Sequence, residues 1–138
     1  NDRGQLGRET GDDAGEAIEK RGAVPRIIWS LRNVVVVDIV SGAFHCLART
    51  VDGTIYSWGW NASGQLGRPT AYQTDPSPAL VHPCKDVAGA TCSIAAGFSH
   101  SAAVNVAGQV TVWGSNEHGQ LGIGTTAVVH PDVAVTPL

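Results

Sequence analysis

The chain contains a long internal repeat, and this feature constrains its fold more than any other. Residues 42–67 recur 55 positions later as residues 97–122, and 12 of the 26 aligned positions are identical without a gap. Average composition would give roughly two identities over such a window. A third, partial copy opens the chain, because residues 1–7 share Asn and Gly-Gln-Leu-Gly with residues 61–67. The 138 residues therefore hold two full copies and a remnant of a third.

Most of the identical positions are glycines or carry one large or polar side chain per copy. Glycine suits positive φ angles and close backbone approach, and a polar or aromatic side chain that recurs in every copy indicates a role in the frame of the fold. We predict a structural repeat motif at Gly42, His45, Trp58, Gly59, Gly64, Gln65, Leu66 and Gly67, and at Gly97, His100, Trp113, Gly114, Gly119, Gln120, Leu121 and Gly122.

Each full copy is predicted to form four short strands. The sequence is 43% hydrophobic and 15% charged, with 17 glycines and 7 prolines, which is typical of short strands joined by tight turns. The β-branched run at residues 34–37 indicates a strand buried on both faces, and Asp52-Gly53 indicates a hairpin turn. The predicted strands lie at residues 34–37, 44–50, 54–58 and 79–82 in the first copy and at residues 93–96, 100–106, 109–113 and 127–130 in the second.

Two segments differ between the copies. Residues 8–24 are the most polar stretch, and they indicate a surface insertion that forms either about two helical turns or a disordered loop. Residues 68–79 make the connection after Gly-Gln-Leu-Gly longer in the first copy than in the second. Because loops of unequal length on a constant frame are frequent recognition sites, both segments are candidates for partner binding.

Four antiparallel strands per repeat describe one blade of a β-propeller. Blades have two apolar faces and stack around an axis, and even a four-bladed ring would need roughly 220 residues at this repeat length. We therefore predict an all-β partial propeller over residues 1–138. The remnant and the insertion would occupy residues 1–33, and the two blades residues 34–88 and 89–138. The ring would be completed by further sequence, by other copies or by a partner.

The spacing of the repeated residues matches a known pattern. In residues 42–67 and again in residues 97–122, Gly-x-x-His is followed by a turn glycine and then by Trp-Gly-x-Asn-x-x-Gly-Gln-Leu-Gly. This pattern resembles the repeat of the regulator of chromosome condensation family. The resemblance implies a propeller, usually of seven blades. Members of the family include a guanine-nucleotide exchange factor for the GTPase Ran, propellers associated with ubiquitin ligases, ciliary scaffolds and a plant photoreceptor, so the fold does not determine the activity.

The repeated aromatic and imidazole side chains are predicted to be structural. His45 and His100 occur once per copy, which favours a hydrogen bond between strands over catalysis or metal binding. Trp58 and Trp113 are predicted to pack within the blades, each with one N–H to satisfy. Trp60 differs because its counterpart in the second copy is a serine, and we predict that Trp60 contacts a partner.

The sequence carries no catalytic constellation, phosphate-binding loop or cofactor motif that we could identify. His82, Cys84 and Cys92 could supply three zinc ligands, but a paired Cys-x-x-Cys element and a fourth ligand are missing. We therefore expect no catalytic residue, no cofactor and no bound metal. A net charge of −3 without a basic stripe argues against nucleic-acid binding, and no apolar run is long enough to predict membrane insertion.

Two features bear on the context of the chain. Three cysteines form no disulfide framework, which favours an intracellular, reducing compartment, whether nuclear, cytoplasmic or organellar. The sequence has no methionine and begins inside a repeat, so we expect it to be part of a longer protein.

Three functions are compatible with these residues. The first is a non-enzymatic module or scaffold for protein–protein interaction. The second is a guanine-nucleotide exchange factor that would bind a small GTPase and weaken its contacts with the nucleotide, with the insertion at residues 8–24 as the only candidate wedge. The third is the substrate-recruiting propeller of a ubiquitin ligase, or of another larger assembly.

Overall fold

The polypeptide forms two antiparallel sheets, one from each full copy of the repeat. The computed structural model describes residues 1–8, 25–81 and 91–126. Within these ranges the strands are β1 (Val36–Ser41), β2 (His45–Thr50), β3 (Ile55–Trp60), β4 (Thr74–Leu80), β5 (Thr91–Ala96), β6 (His100–Asn105) and β7 (Val110–Gly114), and a 3-10 helix spans Trp29–Leu31. The first sheet has the order β1-β2-β3-β4 and the second the order β5-β6-β7.

The sheets confirm the prediction of an all-β partial propeller. Every pairing within them is antiparallel between strands that follow each other in the chain, as in a propeller blade. The predicted Asp-Gly turn joins β2 to β3, with Gly53 at a φ of +81° and the Asp52 carboxylate accepting a hydrogen bond from the Thr50 hydroxyl. Within the described residues, no helix is long and apolar enough to span a bilayer.

The core lies between the two sheets. Alternate residues of a strand point to the same face of its sheet, and the inward-facing residues of both sheets meet in one cluster. Its buried members are Leu47, Ile55, Val81, Ile94, Ala103 and Trp113. Because each sheet supplies part of this cluster, the two blades stabilise each other.

The prediction that the first strand is buried on both faces is wrong. Strand β1 begins at Val36 rather than at residue 34, and Val36, Val37 and Ile39 are 39%, 49% and 61% exposed. The β-branched composition correctly indicates a strand, but two-sided burial needs a neighbour on each face. In the described residues β1 is an edge strand whose sheet packs on β5 from one side only.

The predicted position of the fourth strand is also wrong. The sequence placed it at residues 79–82, whereas β4 spans Thr74–Leu80. Pro76 and Pro78 argue against a central strand, but a strand at the edge of a sheet tolerates proline because one row of its N–H groups needs no partner. The connection between β3 and β4 is therefore shorter than expected, and only residues 61–73 of the loop region lie outside strands.

Several predictions fall on residues outside the described ranges. They are the helical or disordered insertion, of which only Arg8 is described, the strand at residues 127–130, and the possible zinc ligands His82 and Cys84. In the described part of the chain, no group of three His, Cys, Asp or Glu side chains is arranged to hold a metal ion.

A buried arginine joins β3 to β4. The Arg68 side chain is 6% exposed and pairs with the Asp75 carboxylate at 2.8 Å. It also donates to the hydroxyl and carbonyl oxygens of Ser57 and to the carbonyl oxygen of Ser77, each at 3.1 Å. A buried charge is tolerated when it is paired and its donors are satisfied. The guanidinium therefore reinforces the outer edge of the first blade, where the pairing of β3 with β4 shifts register between Ser57 and Gly59.

Candidate interaction surface

In each Gly-Gln-Leu-Gly loop, the side chain of the asparagine three residues before the first glycine forms hydrogen bonds with the loop backbone. The Asn61 side chain accepts a hydrogen bond from the Leu66 N–H at 3.0 Å and donates to the Arg68 carbonyl oxygen at 3.1 Å. The Gln65 side chain accepts from the Ser63 N–H at 2.9 Å. Corresponding bonds are made by Asn1, Gln5, Asn116 and Gln120. These repeated amides therefore shape the loop itself.

The carbonyl oxygen of the loop glutamine joins one repeat to the next. The carbonyl oxygen of Gln65 accepts hydrogen bonds from the Trp113 indole N–H and from the Ser101 hydroxyl, both at 2.9 Å. The His45 Nε2 atom lies 2.9 Å from the same hydroxyl. Because a carbonyl oxygen only accepts, the serine gives it its single proton, and His45 Nε2 donates to the serine.

The same arrangement joins the remnant to the first blade. The Gln5 carbonyl oxygen accepts from the Trp58 indole N–H at 3.0 Å and from the Cys46 thiol at 3.4 Å. The last glycine of the first two loops also lies against the tryptophan, since an added Cβ atom would lie 2.9 Å from the Trp58 Nε1 atom at Gly7 and 2.7 Å from the Trp113 Nε1 atom at Gly67. His45, Trp58 and Trp113 thus form hydrogen bonds between repeats. The sequence predicted a hydrogen bond between strands for the histidine and packing within blades for the tryptophans.

The remaining members of the repeat motif have structural roles within the blades and loops. Gly42 and Gly97 leave room for the imidazole rings of His45 and His100, which an added Cβ atom would overlap. The buried side chains of Leu66 and Leu121 are at most 2% exposed. Positive φ angles are found at Gly59, Gly64, Gly67, Gly114, Gly119 and Gly122. In the last loop Gln120 is exposed, whereas the corresponding Gln65 is buried.

The buried imidazole makes the junction between the blades sensitive to acid. The His45 ring is completely buried, and this burial, reinforced by the nearby His100, lowers the pKa of His45 from 6.5 to about 4. Between pH 6.5 and 4 the unfolded chain binds a proton that the folded chain excludes. The stability supplied by neutral His45 is complete above pH 6.5 and is lost as the pH falls.

We expect this linkage to cost about 3 kcal/mol of unfolding free energy between pH 6.5 and pH 4. Urea unfolding measured across that range tests it. Replacing His45 with glutamine should flatten this part of the profile, whereas replacing the exposed His118 with glutamine should leave it unchanged. A profile that both variants share with the parent would contradict the assignment to His45.

A second group of side chains does not serve the frame. Trp60 ends β3, and its ring meets the Phe44 ring edge to face, with centroids 5.5 Å apart. Phe44 in turn meets Phe98 edge to face at 6.1 Å. The Arg3 guanidinium carbon lies 4.5 Å from the centre of the Trp60 ring. We call these four residues the aromatic surface.

Every aromatic member of this surface breaks the repeat symmetry. At the offset of 55 residues, Phe44 corresponds to Ser99, Trp60 to Ser115, and Phe98 to Ala43. The backbone is nevertheless the same in both copies. The Trp60 N–H donates to the Phe44 carbonyl oxygen at 2.9 Å, and the Ser115 N–H donates to the Ser99 carbonyl oxygen at 2.8 Å. The frame therefore forms equally well with small side chains at these positions.

The indole N–H of Trp60 also sets it apart from the frame tryptophans. Trp58 and Trp113 each donate to a glutamine carbonyl oxygen, whereas the buried Nε1 atom of Trp60 has no acceptor among the described residues. A buried donor without an acceptor costs about 1–3 kcal/mol. Trp60 is thus poorly explained as a stabilising residue.

Sequence reasoning found only part of this surface. Trp60 was singled out because its counterpart is a serine, and the same comparison could have found Phe44 and Phe98. Arg3 lies in the partial copy, more than 40 residues from Phe44, so only the folded chain brings it to Trp60. A separate exposed residue, Tyr72, lies on the loop between β3 and β4 and is 80% exposed.

Family models match almost the whole chain. A model described as the Regulator of chromosome condensation (RCC1) repeat matches residues 1–49, 52–104 and 107–137. A second model with the same description matches residues 36–65 and 92–120. The chain belongs to the regulator of chromosome condensation repeat family. The resemblance inferred from the repeat is therefore confirmed.

Similar curated proteins are much longer than this RCC1-repeat chain. It is 39% identical over 101 residues to human "Probable E3 ubiquitin-protein ligase HERC3", a match that covers 73% of this chain and 9% of the relative. It is 40% identical over 103 residues to human "E3 ubiquitin-protein ligase HERC2", covering 73% of this chain and 2% of the relative. The chain thus spans less than a tenth of these proteins.

Solved structures of similar fold include propellers of this family. Human WBSCR16 is 27% identical, with a TM-score of 0.66, over 77% of this chain and 25% of that protein. Yeast RCC1 (Prp20), crystallised with Kap60, is 24% identical, with a TM-score of 0.71, over 99% of this chain and 31% of that protein. This chain is therefore an RCC1-type repeat module with the fold of a propeller interaction domain.

Proposed function

We propose that this RCC1-repeat chain binds a protein partner through the aromatic surface and carries out no chemical step itself. The observation that carries the proposal is the separation of two sets of side chains. The side chains that recur in each copy form the contacts within and between repeats. The side chains that differ between the copies contact one another in the aromatic surface. Arg3, Phe44, Trp60 and Phe98 come from three separate parts of the sequence, which argues against a chance feature of one loop.

The chemistry of the aromatic surface suits protein recognition. Phe98 is 71% exposed, and an aromatic ring held by edge-to-face neighbours offers contact area with little loss of side-chain entropy. Tryptophan and arginine are the residue types most enriched among the side chains that dominate interface energies. The surface combines these types in one contiguous group.

The second copy of the repeat supplies a matched test of this proposal. The variant Phe44→Ser/Trp60→Ser/Phe98→Ala places at each position the residue that the other copy has there, and we call it the counterpart variant. It should fold, because the backbone bonds at these positions are the same in both copies. We expect it to bind its partner at least about 30-fold more weakly, since central interface residues contribute 2 kcal/mol or more.

The measurement starts with proteins captured by the parent chain and continues with the dissociation constant of each purified partner. Tyr72→Ala, which removes an exposed aromatic ring outside the aromatic surface, is the control and should keep full affinity. Partners that bind the counterpart variant and the parent equally would reject the aromatic surface as the binding site. Partners lost equally with Tyr72→Ala would place the contact elsewhere.

A more specific candidate is the recruitment of substrates to a ubiquitin ligase. Its support is the 39% identity to a protein described as a probable ubiquitin-protein ligase. On this proposal the partner held by the aromatic surface becomes modified in the full-length protein. Ubiquitin transfer to the captured partner should then fall with the counterpart variant. Attachment of ubiquitin to the ligase itself, measured without the partner, should not change.

Nucleotide exchange on a small GTPase is the other candidate. Its support is the propeller fold shared with Prp20p of Saccharomyces cerevisiae, a protein described by its binding to Gsp1p and histones. At 24% identity that likeness concerns the fold alone. Release of labelled GDP from a panel of small GTPases tests the candidate, and no acceleration by the full-length protein would reject it.

A further inference from the structure

The charge of the aromatic surface comes from Arg3. Its guanidinium lies over the Trp60 ring with 4.5 Å between the guanidinium carbon and the ring centre. Within the described residues Arg3 takes part in no ion pair. The neighbouring Asp2 carboxylate is fully exposed and lies 4.0 Å from the N-terminal ammonium group instead. Arg49 and Arg68, by contrast, each have an aspartate within 4.0 Å.

Stacking on an aromatic ring leaves a guanidinium able to bind an anion. The face of the planar group contacts the ring, while its N–H donors point outward along its edge. This geometry suits two parallel hydrogen bonds to a carboxylate. Contact with Trp60 also removes part of the flexibility of the arginine, so that less entropy is lost when a carboxylate binds.

An apolar contact lies next to this charge. Phe44 touches both Trp60 and Phe98, so the exposed Phe98 ring is linked through Phe44 to the tryptophan that carries Arg3. A ligand that spans this row would meet a cation at one end and an exposed aromatic ring at the other. A basic segment would be repelled by Arg3 at the Trp60 end.

We propose that the aromatic surface receives an extended segment of a partner protein in which an aspartate or glutamate stands close to an aromatic or large aliphatic residue. The carboxylate binds the Arg3 guanidinium, and the apolar side chain packs on Phe98. This inference rests on the proposed function and specifies the chemistry of its partner. Single-stranded nucleic acid also combines negative charge with stacking groups, but the chain carries a net charge of −3, and Arg3 is the single cation among the four residues of the aromatic surface.

Selection from a library of random twelve-residue peptides displayed on phage tests the inference. Peptides are selected on the parent chain and depleted on the counterpart variant, so that only ligands of the aromatic surface remain. The enriched peptides should carry a carboxylate within a few positions of an aromatic or large aliphatic residue. An enriched set without carboxylates, or no enrichment at all, overturns the inference.

Charge reversal gives the quantitative readout. A synthetic peptide from the enriched set should bind Arg3→Glu at least about tenfold more weakly than the parent, because a charge-assisted pair is replaced by repulsion. Arg3→Gln should fall between them, and added salt should weaken binding to the parent more than to Arg3→Gln. Arg3 is exposed, so these variants should keep the fold. Equal affinity of all three proteins overturns the inference.

The same variants separate this inference from the proposed function. A partner that is lost with the counterpart variant but binds Arg3→Glu normally would leave the docking function intact and remove the acidic preference. A partner that binds all the variants equally would remove both. Tighter binding of an oligothymidylate than of any enriched peptide would assign the aromatic surface to nucleic acid instead.

Discussion

Replacement of Trp113 by alanine is expected to lower the free energy of unfolding by about 3–5 kcal/mol. The side chain is 1% exposed and belongs to the core cluster between the sheets. Its loss leaves a cavity there and removes the indole N–H donated to the Gln65 carbonyl oxygen. Urea unfolding followed by far-ultraviolet circular dichroism measures the change without relying on tryptophan fluorescence.

Trp60→Ser is the matched control because it also removes one of the 4 tryptophans. We expect it to cost less than about 1 kcal/mol, since the lost contacts are offset by removal of a buried N–H without an acceptor. If Trp113→Ala does not fold, Trp113→Phe keeps most of the ring and should cost about 1–2 kcal/mol for the lost hydrogen bond. Equal costs at positions 60 and 113 would contradict the division into frame and surface tryptophans.

The blades could be predicted from the sequence because the same side chains recur at a fixed spacing in each copy of the repeat. Glycine, tryptophan and Gly-Gln-Leu-Gly recur at one offset in the two full copies, and the β-branched run and the turn residues locate most of the strands. The partner of Trp113 could not be predicted in this way. It is a backbone carbonyl oxygen, that of Gln65, and any residue type at that position would carry one. Only the packing of one blade on another selects it.

The errors at the first and fourth strands have a related cause. A β-branched run such as residues 34–37 reports strand propensity but not whether neighbours cover both faces. For β4, Pro76 and Pro78 are unfavourable in a central strand and acceptable at an edge, and composition does not say which kind of strand is present. Arg68 supplies the tertiary contacts that hold this edge, through Asp75 and Ser77.

The aromatic surface, which we propose as the binding site, consists largely of residues that differ between the two copies of the repeat. Positions identical between copies are accounted for by the frame, so the informative positions are those where one copy has a large side chain and the other a small one. Phe44, Trp60 and Phe98 meet this criterion. Exposure alone would have been less selective, because Val51 and Val106 occupy the same position in both copies and both are 67% exposed.

Replacement of Gly59 by alanine is expected to lower the free energy of unfolding by about 2–6 kcal/mol. Gly59 has a φ of +108°, and an added Cβ atom would overlap the Phe44 carbonyl oxygen and lie 2.8 Å from the His45 Cα atom. Backbone strain of about 1–3 kcal/mol thus adds to overpacking of about 1–3 kcal/mol. The overlap displaces Phe44, whose ring contacts both Trp60 and Phe98. Peptide binding at the aromatic surface should therefore weaken as well.

Gly108→Ala provides the control for the strain alone. Gly108 has a φ of +79°, and an added Cβ atom would meet nothing within 4 Å. We expect a cost of about 1–2 kcal/mol for the left-handed conformation and no effect on binding at the aromatic surface. Urea unfolding of both variants gives the comparison. Similar costs at the two positions would mean that the β3 backbone can move away from Phe44, and that the β2–β3 frame does not fix the geometry of the aromatic surface.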